Sequence, residues 1–74
     1  MQITVKLYAS LRWRQFDEAV RACRPDALVG EVVDELEIPR ADVGIVLING
    51  LHAGWDEVLQ EGDVLSLLPR MGGG

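Results

Sequence analysis

A chain of 74 residues with 49% hydrophobic side chains can build one small core, and it is too apolar to stay disordered. Its one cysteine, Cys23, cannot close an internal disulfide, and no set of Cys and His has metal-ligand spacing, which excludes a disulfide scaffold, a zinc module and a four-thiolate iron–sulfur cluster. A net charge of −5, from 12 acidic against 7 basic side chains, argues against a nucleic-acid partner, whose phosphates need Lys and Arg.

Gln2 to Tyr8 alternates polar and apolar residues, with Ile3, Val5 and Leu7 on one face, which predicts a half-buried strand. Ala9 to Arg14 reads as a turn or irregular connection. Residues 15–24 are ambiguous. Phe16, Ala19, Val20 and Cys23 have helical spacing, while the alternation at Phe16, Glu18, Val20 and Ala22 also permits a strand. Pro25-Asp26 breaks the chain. Val29, Val32, Val33 and Leu36 then form one apolar stripe opposite Glu31, Asp34, Glu35 and Glu37, which predicts an amphipathic helix ended by Pro39. Gly44 to Ile48 is a continuous apolar run, as expected of a strand buried on both faces. Asn49-Gly50 predicts a type I′ hairpin turn, with Leu51 to Ala53 as a short return strand. Trp55 to Leu59 and Gln60 to Asp63 read as turns, and Val64 to Leu68 as a last strand stopped by Pro69. Arg70-Met71-Gly72-Gly73-Gly74 remains as a tail.

The charge is uneven. Residues 1–24 carry five basic and two acidic side chains, whereas residues 25–74 carry two and ten, a balance suited to a basic protein partner or simply to solubility. No apolar run is long enough to span a membrane, and Met1-Gln2-Ile3 opens directly on strand-like sequence without a signal region, so a cytoplasmic location and no membrane partner are expected.

Taken in order, these elements resemble the ubiquitin-like sulfur-carrier family, in particular the small subunit of molybdopterin synthase and the thiamine-pathway carrier. The resemblance is carried by Leu7-Tyr8-Ala9-Ser10-Leu11-Arg12, Val29-Gly30-Glu31-Val32-Val33, Val46-Leu47-Ile48-Asn49-Gly50, Glu61-Gly62-Asp63-Val64 and the terminal glycines. It implies an α+β fold of the β-grasp kind, with a mixed sheet of four to five strands packed on one main helix. Residues 1–69 would form the domain and residues 70–74 a flexible C-terminal tail. The resemblance also makes residues 15–24 the second strand of a hairpin with the first. A neighbour requirement for a central strand at 44–48 is the further reason to set the local helical pattern aside. Two positions depart from the family. Leu28 stands where a small hydroxyl residue usually caps the helix, which costs about 1 kcal/mol unless Asp26 substitutes. The tail reads Leu68-Pro69-Arg70-Met71 in place of an aromatic-Pro-Pro-Val pattern.

The family resemblance implies that the Gly74 carboxylate is adenylated with ATP by an E1-like adenylating enzyme and converted to a thiocarboxylate. That sulfur would pass to an acceptor enzyme, a synthase large subunit or a thiazole synthase, with molybdopterin ahead of thiamine. The carrier itself would bind no cofactor and would not be an enzyme. Gly72 and Gly73, with Met71 and Arg70, would thread the partner's channel. Glycine suits this because it lacks Cβ, so it opens backbone conformations closed to other residues and leaves the carbonyl unshielded. Pro69 to Gly74 extended reaches roughly 20 Å at about 3.3–3.6 Å per residue. Other candidates are weaker: His52 has no triad partners, Cys23 reads as a small buried hydrophobe, and Trp13 and Trp55 as interface anchors or core caps. Two further functions remain open, a protein modifier joined to lysines through Gly74 and a β-grasp interaction module with an inert tail.

Overall fold

Alternation in the first segment produces β1, Gln2–Leu7, whose inner residues Ile3, Val5 and Leu7 are buried. In the computed structural model, which describes residues 1–70 apart from the side chain of Arg14, the chain then forms a 3-10 helix at Ala9–Arg14, β2 at Glu18–Ala22 and helix α1 at Val29–Glu35. A second 3-10 turn at Arg40–Asp42 leads into β3, Val43–Ile48, followed by β4, Leu51–His52, and β5, Val64–Pro69. The strand order is β2-β1-β5-β3-β4, with β1 and β5 parallel and the other pairs antiparallel. This is the expected mixed sheet of the β-grasp kind.

Residues 18–22 are a strand, as the family plan requires, but the neighbour reason for it does not hold. β2 pairs with β1, while β3 is flanked by β5 and the two-residue β4. The centre of the sheet is β5. The expectation of β3 buried on both faces is also corrected: Val43 and Val46 are buried, whereas Ile45, Leu47 and Ile48 are only partly covered. The helix covers one side of the sheet, and among the described residues no element covers the other, so the outward residues of β3 stay partly wet.

Helix α1 turns Val29, Val32 and Val33 onto the sheet, where they join Ile3, Val5, Leu65 and Leu67, and each of these side chains is at most 4% exposed. Asp26 does not cap it. Glu31 does part of that work by accepting the Leu28 N–H at 3.2 Å, and Arg24 holds the same carboxylate through two N–H donors at 2.6 and 2.9 Å. These bonds keep Glu31 ionised below its ordinary carboxylate range, the Arg24 pairing contributing most.

Pro39 is not what ends the helix. Leu36 closes it, Glu37 takes a left-handed φ of 59°, and the N–H groups of Glu37 and Ile38 return to the carbonyls of Asp34 and Val33 at 3.0 and 3.3 Å. That is a Schellman ending with a glutamate in the place glycine favours. Glu37→Gly is therefore expected to stabilise the domain by about 1 kcal/mol, read as a raised denaturation midpoint at unchanged slope.

The connection at residues 9–14, expected to be irregular, is helical because Leu11 turns inward and is 2% exposed. The Asn49-Gly50 turn has the two positive φ values, 52° and 84°, of a type I′ turn. Trp55 packs on the core beneath Arg40, whose guanidinium lies 5.2 Å from the ring centre. Trp13 does neither and stands 80% exposed. Cys23 is half-buried and not fully interior. No helix among the described residues is long and apolar enough to cross a membrane.

Candidate functional site at the root of the tail

The centre strand β5 runs parallel to β1 and leaves the sheet beside the start of β3, where Pro69 pairs with Val43. The register there skips from Val43 to Ile45, so Gly44 is the extra residue of a bulge. A Cβ on Gly44 would lie 2.9 Å from both the Arg70 Cα and the Pro69 carbonyl oxygen, and 3.1 Å from the Arg70 nitrogen. All three are backbone atoms with no rotamer to escape into. Glycine is needed here for space and not for an unusual φ.

From the other side, the Arg70 N–H donates to the Asp42 carbonyl at 3.2 Å. Ser10, Leu11, Ala41, Asp42, Pro69 and Arg70 together line a shallow cavity of about 320 Å³. The first residue of the predicted tail thus has a held backbone, while its side chain is exposed. Met71, Gly72, Gly73 and Gly74, the remaining predicted site residues, lie outside the described residues.

Gly44→Ala is expected to push the Pro69-Arg70 backbone off β3 at a cost of about 1–3 kcal/mol. Amide exchange at Arg70 should rise well above its wild-type rate as the bond to Asp42 opens, and an unchanged rate would show that the crossing does not hold the tail root. A glycine opening an apolar run was the available signal, since glycine in a strand often marks a bulge or close backbone approach.

The strand period leaves Thr4, Lys6, Glu18, Val20, Ile45, Leu47, Val64, Ser66 and Leu68 on the uncovered side of the sheet. Of these, Val20 is 63% exposed and Ile45, Leu47, Val64 and Leu68 are half-buried apolar side chains, while Lys6, paired with Glu18 at 4.0 Å, and Ser66 form a polar row between Val64 and Leu68. The face adjoins the tail root through Leu68, two residues before Arg70.

The other candidates stand apart from this pole. His52 is exposed on β4 and pairs in register with Leu47 near the opposite end of β3. Cys23 lies beside the N-terminus, whose ammonium donates to its carbonyl at 2.8 Å. Burial pushes the Cys23 thiol above its ordinary value, outweighing the nearby ammonium, so the reactive thiolate is disfavoured. Asp56 and Glu57 are exposed in a turn. Among the described residues, no group of three or more His, Cys, Asp or Glu side chains is placed to hold a metal.

The family model described as Mut7-C ubiquitin matches residues 1–72. No curated protein matches the sequence significantly. Among solved structures, the chain is similar to a Pyrococcus furiosus protein assigned as molybdopterin converting factor, subunit 1, with 25% identity and a TM-score of 0.81 over 96% of this chain and 99% of that one. Small archaeal modifier protein 1 of Haloferax volcanii is 27% identical with a TM-score of 0.78, over 95% of this chain and 98% of that one. The complex of subunits 1 and 2 of molybdopterin-converting factor from Helicobacter pylori contains a chain with a TM-score of 0.68 at 20% identity, covering 100% of each, a likeness of fold alone.

Proposed function

This chain belongs to the Mut7-C ubiquitin family, and from that premise we propose that it is a sulfur carrier acting through the carboxylate of Gly74. The observation that carries this reading is the placement of β5. The central strand delivers the C-terminal residues at one pole, and Asp42 and Gly44 hold the Arg70 backbone there. The chain is then the substrate of an adenylating enzyme and not itself a catalyst, since adenylation asks of it only a reachable carboxylate.

The chemistry follows from the poor electrophilicity of a carboxylate. A Gly74 oxygen attacks the α-phosphorus of ATP and expels pyrophosphate, leaving an acyl-adenylate. Sulfide can attack the acyl carbon and release AMP, which gives the thiocarboxylate directly. A persulfide donor gives an acyl disulfide instead, and a thiol reductant must cleave its S–S bond to free the thiocarboxylate. The sulfur then passes to an acceptor enzyme. Similarity to a molybdopterin converting factor subunit 1 supports molybdopterin over thiamine as the pathway served. The E1-like adenylating enzyme would dock around the tail root, on the open sheet face that reaches it through Leu68.

The test is intact-mass measurement after incubation with ATP, the cognate activating enzyme and a sulfur donor. Exchange of one oxygen for sulfur at the terminus is expected, and an unchanged mass beside an enzyme shown to be active would sink the proposal. A second reading is favoured by the likeness to a small archaeal modifier protein. In it, a lysine amine displaces AMP and Gly74 ends in an isopeptide bond. Higher-mass conjugates that vanish when Gly74 is deleted would identify that fate.

A further inference from the structure

Trp13, within the 3-10 helix whose Leu11 is buried, is 80% exposed, and Tyr8, just before that helix, is 42% exposed. So large an apolar ring contributes little to the fold from that position, whereas Trp, Tyr and Arg are the residues that most often anchor interfaces. Its location gives the partner. Ser10 lines the cavity at the tail root with Pro69 and Arg70. In a 3-10 helix side chains at i and i+3 eclipse, so Trp13 lies on the same side as Ser10, about 6 Å further along the axis. The Tyr8 N–H is bonded to the Leu67 carbonyl at 3.2 Å, which fixes this segment against the end of β5.

Residues 71–74 can span at most about 14 Å beyond Arg70. An enzyme that holds the Gly74 carboxylate in its adenylation site must therefore cover this pole. A standard interface buries about 800 Å² on each partner, a patch roughly 30 Å across, which takes in the first turn beyond the tail root. We propose that Trp13 is the anchor by which the adenylating enzyme grips this carrier. The matching surface is an apolar pocket that accepts an indole, rimmed by carboxylates that face the exposed Arg12 and Arg70. This rests on the sulfur-carrier reading of Gly74.

ATP–pyrophosphate exchange by the cognate activating enzyme, with the carrier concentration varied, tests it. Trp13→Ala should raise KM for the carrier at least about tenfold with kcat within about twofold, because the ring binds but touches no reacting atom. The thermal midpoint should not move. Leu51→Ala, which removes another exposed side chain at the opposite end of β3, should leave KM unchanged. Exchange with wild-type KM in the Trp13 variant overturns the anchor while leaving the carrier function intact. A variant adenylated normally but no longer bound by the acceptor enzyme also overturns it, since the anchor then belongs to that second partner. Absence of exchange with the wild-type chain overturns the carrier reading and the anchor with it.

Discussion

Removing Gly73 and Gly74 is expected to lower thiocarboxylate formation by more than about 10²-fold while leaving thermal unfolding where it was. The new terminus at Gly72 would still carry a carboxylate on a glycine. It would, however, stop roughly 7 Å short of the site at about 3.3–3.6 Å per residue. A displacement of only 1 Å at a reacting centre can cost about 10²-fold in rate. The tail cannot recover that length by sliding, because the Arg70 N–H is bonded to Asp42 and its backbone crosses Gly44. The body should not notice the loss, since among the described residues every buried core residue lies between Ile3 and Leu67. Intact-mass measurement reports the chemistry and calorimetry reports the fold. Full conversion of the shortened chain would show that tail length does not place the reacting carboxylate, while biological activity kept without any conversion would favour a plain interaction module.

The second large effect is on stability. Leu67→Ala is expected to cost about 2–5 kcal/mol, the range for a buried leucine truncated where surrounding structure collapses only partly. Leu67 is 0% exposed, and its register partners are Leu7 on β1 and Val46 on β3, both buried. With two strands holding the site open on either side, the cavity should persist and place the cost high in that range. A domain of this length has roughly 4–11 kcal/mol of stability at about 0.05–0.15 kcal/mol per residue. One substitution would therefore remove a large part of it and lower the midpoint by about 10–30 °C. A shift of only a few degrees would mean that the sheet closes over the gap.

Elements with a local cause were legible in the residues. The alternation of Ile3, Val5 and Leu7, the stripe of Val29, Val32, Val33 and Leu36, and the Asn49-Gly50 turn each follow from spacing or from a backbone preference. What depended on distant partners was not. Residues 18–22 sit in a stretch whose helical spacing is overridden by pairing with β1; the alternation permitted a strand, and the family plan chose it. The centrality of β5 could not be read from Val64 to Pro69, because which strands flank it is decided by the path of the whole chain. Pro39, a known breaker, predicts the helix ending, while the backbone turns two residues earlier at Glu37, whose left-handed φ has no composition signal. The tail was legible as a candidate through its glycines. Its anchorage was not, since Gly44 and Arg70 are far apart in sequence and meet only through the sheet. The exposure of Trp13 likewise required knowing that Leu11, two residues earlier, takes the inward position.

The parallel pairing of β1 with β5 has a consequence for synthesis. Thr4 aligns with Val64 and Leu7 with Leu67, so the first strand made must wait for the last before the sheet has a centre. A nascent chain interrupted before β5 has neither of the buried leucines Leu65 and Leu67 and no strand to join β1 to β3. It should remain unfolded and open to proteolysis. Folding therefore acts as a checkpoint on translation: any molecule that presents the native surface to a partner already possesses the strand from which its arm grows.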